Sequence, residues 1–423
     1  IFFIILIFNL IFSPINGDEV WNYGFANNLY QGLIPYKDFN MVLTPFYPFL
    51  MSIPFYVFGS NMLIFHITNA LLITGCFILL DKDYKDKMWI ILLFCFFPIN
   101  YSFPTYNMFL YVLLCTILFL ENNYVKDENI FIHYIIGFIL GITFLTKQTV
   151  GGCLVLVSLY YIKDFKIILK RFIGFLIPIT IFIIYILFNN AWKEFIDLCI
   201  LGLIDFSGNQ QGFSLNLLFY VVMIFIIFKK IKKDKNNITL YYVLAFFSIA
   251  IPIVDAYHTA YCFLAFLLII LKDFKKKYFH YHILSTFSII FLGLLTLNFN
   301  KGFPLKNYPN DINHFKYRFI NEDSYYFTKD ISEFLEENAS KKIIFLSSNA
   351  YYFKIINDLP CTYLDLINRG NWGYNGSEKL LKKVKEAASN KAIFILDPDE
   401  TIGFKQTDKQ ALNYVIKNGK KIK

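Results

Sequence analysis

The chain has 423 residues and a mean hydropathy of +0.49, with 57% hydrophobic and only 17% charged residues, against roughly 25% charged in soluble domains. This composition excludes a disordered chain and argues against an ordinary soluble enzyme, because the apolar residues gather in runs of membrane-spanning length. The formal net charge of +9 lies largely in Lys-rich stretches between those runs, where it reads as membrane orientation and not as nucleic-acid binding.

In chain order, apolar runs fall at about 1–15, 61–80, 88–100, 104–120, 130–146, 149–162, 172–188, 213–228, 238–253, 259–271 and 282–298, eleven candidate spans. The opening run could pass for a signal peptide. Gly17-Asp18-Glu19 offers no small-x-small cleavage site, however, and further apolar runs follow, so the run reads as a span. Each crossing is expected to be helical, since hydrocarbon gives the backbone no partner. Lys and Arg set the orientation. The alternate loops 81–87, 121–129, 163–171, 229–237 and 272–281 hold 17 of them, while 16–60, 100–106, 146–149, 189–212 and 254–258 hold only Lys37, Lys147 and Lys193. The first set is therefore expected in the cytoplasm, with 16–60 and the C-terminal 299–423 outside. The seven Cys contain no CxxC pair and mostly sit in apolar runs, so they read as small buried hydrophobes.

The expected fold is an all-α polytopic membrane domain over 1–298, followed by a small extracytoplasmic α/β domain over 299–423. In the tail, Ile343–Leu346 and Ala392–Leu396 read as strands of a partly parallel sheet. Ala350–Asn357, Ser377–Ser389 (opened by a capping Ser377) and Lys409–Lys417 read as helices. Asp397-Pro398-Asp399 has the spacing of a metal-holding acid pair, but a strand followed by this tripeptide is ordinary turn chemistry.

The chemically informative stretch is 16–60. Asp18 and Glu19 stand where the first span leaves the membrane. A short interfacial helix with Trp21, Tyr23, Phe25 and Tyr30 follows, ended by Gly32, and then a turn at Pro35-Tyr36-Lys37-Asp38. Pro45, Pro48 and Pro54 divide the remainder into pieces suited to lie on the membrane surface, up to Phe58-Gly59. Carboxylates at a membrane face are costly unless they line a wet cavity, which marks them as functional candidates.

Asp-Glu after the first span, then Ala-x(5)-Gly-x-x-Pro-Tyr-x-Asp, then a Pro-rich stretch ending in Phe-Gly, resembles the first outer loop of the GT-C membrane glycosyltransferases. The nearest branch is the family 39 type, with the protein O-mannosyltransferases and the aminoarabinose lipid A transferases. The resemblance implies a multi-pass enzyme of the cell membrane that moves a sugar, with inversion, from a polyprenyl-phosphate donor to a cell-envelope acceptor. It makes Asp18 the general base and Glu19 an assisting acid, with Asp38 a further polar contact. It leaves a divalent metal open. A departing phosphate needs cations or donors. Lys147, in Leu145-Thr146-Lys147-Gln148-Thr149, breaks the positive-inside pattern and matches a Thr-Lys fragment of the family. His258, with Asp255 to hold its tautomer, is the second candidate, and Tyr106 and Asn107 are candidates to line the cavity. The chain departs from the family it resembles in having no Arg in an expected outer membrane loop. The competing readings are a secondary transporter and a lipid flippase without transferase chemistry. The first predicts paired broken spans in two related halves, and no internal repeat is seen; the second leaves the Asp-Glu loop unexplained.

Overall fold

The computed structural model describes residues 2–7, 10, 17–84, 104–125, 130–207, 215–251, 253–273, 306–307, 313–315, 319–320, 322–347, 350–359, 365, 371–396 and 409–420. The expected spans at 88–100 and 282–298 and the Asp397-Pro398-Asp399 turn lie outside them. The helices run, in order, α1 Phe2–Ile7, α2 Gly17–Tyr30, α3 Phe46–Ser52, α4 Phe55–Phe58, α5 Met62–Tyr84, α6 Tyr106–Asn123, α7 Ile130–Phe144, α8 Gln148–Tyr161 and α9 Phe165–Phe188. Then come α10 Trp192–Phe195, a π-helical turn Ile196–Leu201, α11 Gly202–Ser207, α12 Leu215–Lys233, α13 Ile238–Phe246 with a 3-10 extension Phe247–Ala250, and α14 Ala256–Asp273. The tail adds α15 Glu322–Glu337, α16 Ala350–Ile356, α17 Gly376–Ser389 and α18 Lys409–Asn418. Its strands are β1 Lys306–Asn307, β2 Phe319–Ile320, β3 Ile343–Leu346 and β4 Ile393–Leu396.

The protein is mostly helical with a small sheet component. Among the described residues two helices, α5 and α9, are long and apolar enough to cross a membrane. α9 begins at Phe165, seven residues before the apolar run expected at 172, because Lys166, Lys170 and Arg171 fit its first turns without breaking the helix.

The chain divides into two compact units. One comprises Ile1–Pro14, His66–Ile181 and Gln211–Leu305; the other comprises Ile15–Phe65, Phe182–Gln210 and Lys306–Lys423.

In the first unit the helices approach through small residues, as expected where helices must associate without a large hydrophobic gain. A Cβ on Gly137 of α7 would overlap the backbone of Arg171, and one on Gly174 of α9 would overlap the carbonyl of Tyr134. At Gly141 it would meet Pro178 Cγ at 2.5 Å. The charged end of this interface is closed by a buried ion pair. Arg171 Nη1 and Nη2 donate to Glu121 Oε1 and Oε2 at 2.6 and 3.0 Å. Arg171 Nη1 also donates to Ser158 Oγ at 2.8 Å, and the Tyr242 hydroxyl donates to Glu121 Oε1 at 2.8 Å. With His133 Nδ1 at 3.5 Å from Nη2, five helices (α6, α7, α8, α9 and α13) meet on one guanidinium. Its planar fork makes this possible.

In the second unit α2 is a buried helix. Ten of its fourteen residues are buried, because α3 and α16 cover it. Gly24 allows the approach, since a Cβ there would run into the Tyr351 ring. α2 ends as the sequence indicates. Gly32 has φ +82°, and Leu33 N bonds Asn28 O at 2.9 Å while Gly32 N bonds Leu29 O at 3.0 Å.

β3 and β4 pair in parallel, Ile343 opposite Ile393 through Leu346 opposite Leu396, and β1 and β2 form a separate antiparallel pair. Leu380, Val384 and Ala387 of α17 and Ala411 and Val415 of α18 pack with Ile344 and Leu346 into a local core. Ser377 does not cap α17. Asn375 holds the N-cap position with φ +53° and makes no side-chain bond there, because the chain enters the helix from a left-handed turn. α15 is an element the sequence reading did not mark.

Candidate functional site

The expected site residues fall in both units. Asp18, Glu19 and Asp38 belong to the second; Tyr106, Asn107, Lys147, Asp255 and His258 belong to the first.

Asp18 and Glu19 occupy the first turn of α2, where the unbonded backbone N–H groups favour negative charge. Successive helix positions are about 100° apart, so the two acids face different surroundings. Glu19 is 0% exposed, while Asp18 is half-buried. Asn22 Nδ2 donates to the Asp18 carbonyl at 2.6 Å, tying the first turn together. Asp38 serves the loop that follows. Its Oδ2 accepts from Ile34 N at 2.7 Å, and Tyr36, at φ +69°, bonds Phe39 O through its N–H at 2.9 Å. The carboxylate therefore ties the Ile34–Asp38 turn to its own start. The Tyr36 hydroxyl then donates to Leu43 O at 2.8 Å.

The five residues of the first unit gather where α6, α8 and α14 begin. Lys147 does not snorkel outward. It is buried, and its Nζ donates to Ile249 O at 2.8 Å, a carbonyl released where α13 ends in a 3-10 turn. The same ammonium lies 5.8 Å from the centre of the Tyr106 ring. Asp255 caps α14: its Oδ1 accepts from His258 N and lies 2.8 Å from His258 Nδ1. Burial pushes the Asp255 carboxyl up, but the bonds from His258 outweigh it, with Lys147 adding to them, and the group is held below the usual carboxylate range. The ionised Asp255 assigns the His258 proton to Nδ1, which leaves Nε2 as an acceptor in the neutral ring and a donor only in the imidazolium. Thr105 Oγ1 and the Tyr257 hydroxyl, 3.0 Å apart, tie α6 to α14 beside them. Asn107 is fully buried, and neither end of its amide is hydrogen-bonded among the described residues. A buried amide with four unmet valences marks a place for a polar ligand group or ordered water.

Of the acids in 189–212, Asp197 is taken up by the tail. It accepts from Tyr374 N at 3.2 Å and pairs with Lys379 Nζ. A Cβ on Gly373, at φ +77°, would sit 2.6 Å from Asp197 Oδ2. Among the described residues no three His, Cys, Asp or Glu side chains converge as metal ligands.

The Arg171–Glu121 pair escaped the sequence reading because Arg171 counted there as one orientation charge among several. Its signal was that it is the sole Arg within residues 1–298. His314, in the tail, was also missed. It bridges Tyr23 of α2, at 2.5 Å from Nδ1, and Asp358, at 2.7 Å from Nε2. Sequence separation hid it.

No family model, no curated protein and no solved structure matches this chain.

Proposed function

We propose that this chain is an integral membrane glycosyltransferase of GT-C type, moving a sugar from a polyprenyl-phosphate donor to a cell-envelope acceptor. The observation that carries the reading is the acid pair opening α2, in which Glu19 is buried and Asp18 is half-buried. In this reading the chain crosses the membrane about eleven times, with residues 299–423 as an extracytoplasmic α/β domain. Asp18 takes the proton from an acceptor hydroxyl as its oxygen attacks the anomeric carbon. The bond from that carbon to the phosphate oxygen breaks, and the lipid phosphate leaves with the electron pair on the opposite face. Within its own unit, Lys147 beside Asp255 and His258 is suited to hold an anionic group such as a phosphate, and Asn107 offers donors and acceptors to a polar ligand. Glu19 holds the helix turn that presents Asp18. Support comes from the residue types and from the gathering of Tyr106, Lys147, Asp255 and His258 at one end of their unit.

The test is transfer by the purified full chain in nanodiscs, supplied with labelled undecaprenyl-phosphate sugars and envelope extract. A covalently glycosylated product whose anomeric centre is inverted relative to the donor is expected. Movement of the intact donor across the bilayer with no product would replace the transferase with a flippase.

A further inference from the structure

The C-terminal segment meets α2 through a hydrogen-bonded chain that the proposed mechanism leaves unused. The Tyr23 hydroxyl is 2.5 Å from His314 Nδ1 and 2.9 Å from Ser60 Oγ. His314 Nε2 is 2.7 Å from Asp358 Oδ1. All four residues belong to one compact unit. Tyr23 is 0% exposed, and burial pushes its phenol well above its ordinary range, so it enters the chain as a neutral O–H donor. The Asp358 side chain is 75% exposed and ends the chain in solvent. The donors then follow one direction. Ser60 donates to Tyr23, Tyr23 donates to Nδ1, and Nε2–H donates to the Asp358 carboxylate, which thereby fixes the imidazole tautomer.

Helix geometry connects this chain to the acid pair. Tyr23 lies one turn beyond Glu19, so the two share a face of α2, and both are 0% exposed. One turn is also the distance from Asp18 to Asn22, whose side chain bonds the Asp18 carbonyl. The Tyr23–His314 bond thus holds the face carrying Glu19 and Tyr23 and opposes rotation of α2 about its axis, which would carry Asp18 away from its half-buried position. Two packing contacts act in the same sense. Gly24 lies against Tyr351 of α16, and the Tyr23 ring meets the His314 ring edge-on at 5.8 Å.

We propose that His314, backed by Asp358, is a positioning residue that clamps Tyr23 and thereby sets the rotation of the helix bearing Asp18 and Glu19. The tail is then part of the machinery that presents the acids. The catalytic meaning of the clamp rests on the transferase reading, but the clamp itself is measured without turnover.

The experiment compares the full chain in nanodiscs with Tyr23→Phe, His314→Phe, the double variant and the mild Asp358→Asn. Both Phe variants keep a ring in place and remove only the bonds. Amide hydrogen exchange at 17–30 is expected to rise at least about tenfold in either single variant, since both lose the buried Tyr23–His314 bond and each loses one further bond, to Ser60 or to Asp358. The double variant should add nothing further, Asp358→Asn should give a smaller rise, and exchange in β3 and β4 should not move. With a carrier sugar that the wild type uses, His314→Phe should lower kcat and leave the donor KM unchanged. Unchanged exchange at 17–30 in a folded His314→Phe protein overturns the clamp, as do single effects that multiply in the double variant. Normal kcat despite faster exchange removes the positioning role. If the wild type transfers no sugar, the functional reading fails and exchange alone decides the clamp.

Discussion

Arg171 shows how one side chain organises several helices. Its fork satisfies both oxygens of Glu121, and Nη1 is also within hydrogen-bond reach of Ser158 and Tyr242. A Lys ammonium is a single point and cannot bridge both oxygens in a plane. Arg171→Ala is expected to cost about 3–5 kcal/mol by leaving the Glu121 charge buried alone, and Arg171→Lys less. Replacing both partners, Arg171→Met with Glu121→Leu, should recover most of that loss. Thermal unfolding in nanodiscs measures the order, and a melting temperature unchanged by Arg171→Ala would show that the pair is not held. Cys199 supplies a second residue-scale prediction. It is buried against Leu43 O at 3.3 Å, and burial pushes its thiol up to about 12, with a bond to Tyr36 acting weakly the other way. At pH 8 the native protein should leave Cys199 unalkylated, and denaturant should expose it to labelling. Mass spectrometry of the alkylated peptide decides, and native labelling would contradict the burial.

Among the elements, those set by local chemistry were legible in the sequence and those set by distant partners were not. Gly32 and Gly59 stop their helices with φ of +82° and +80°, which only the residue type needs to announce. β3 and β4 are short apolar runs between helical segments, and their parallel pairing follows from that alternation. α2 was read as interfacial from Trp21, Tyr23, Phe25 and Tyr30, which follow directly where the first span ends. Its burial depends on Tyr351 and His314, about 300 residues away, which no local pattern encodes. The role of Asp38 was half visible, since Pro-Tyr-Lys-Asp reads as a turn but the bond to Ile34 N needs coordinates. Lys147 was singled out for breaking the charge pattern, and the structure gives it a backbone acceptor, Ile249 O, that spacing does not reveal. The interface between α7 and α9 yields a direct comparison. Gly174→Ala places a methyl into the Tyr134 carbonyl, whereas Gly152→Ala meets nothing within 4 Å. Gly174→Ala should lower the melting temperature in nanodiscs strongly and Gly152→Ala should leave it unchanged or raise it slightly. Equal behaviour of the two would mean that α7 and α9 are not in backbone contact.

For the whole molecule, the charge asymmetry and the two compact units bear on one reading. The segments 16–60, 189–212 and 299–423, which the sequence leads one to expect outside, fall mainly in the unit that holds the acid pair. Orientation is testable with membrane-impermeant thiol reagents on intact cells. A Cys placed at exposed Lys341 should label, and one placed at exposed Lys166 should label only after permeabilisation. The reverse pattern would invert the topology and put Asp18 on the face where the lipid-linked donor is not presented for envelope chemistry.

The central claim is that Asp18 is the base of a lipid-linked sugar transfer. Its most direct test is single-turnover transfer in nanodiscs, comparing wild type with Asp18→Asn on labelled undecaprenyl-phosphate sugars and an envelope acceptor. With Asp18 as base, wild type should give a burst of transferred sugar, and a folded, donor-binding Asp18→Asn protein a rate at least about 100-fold lower. Equal rates in the two proteins would contradict it.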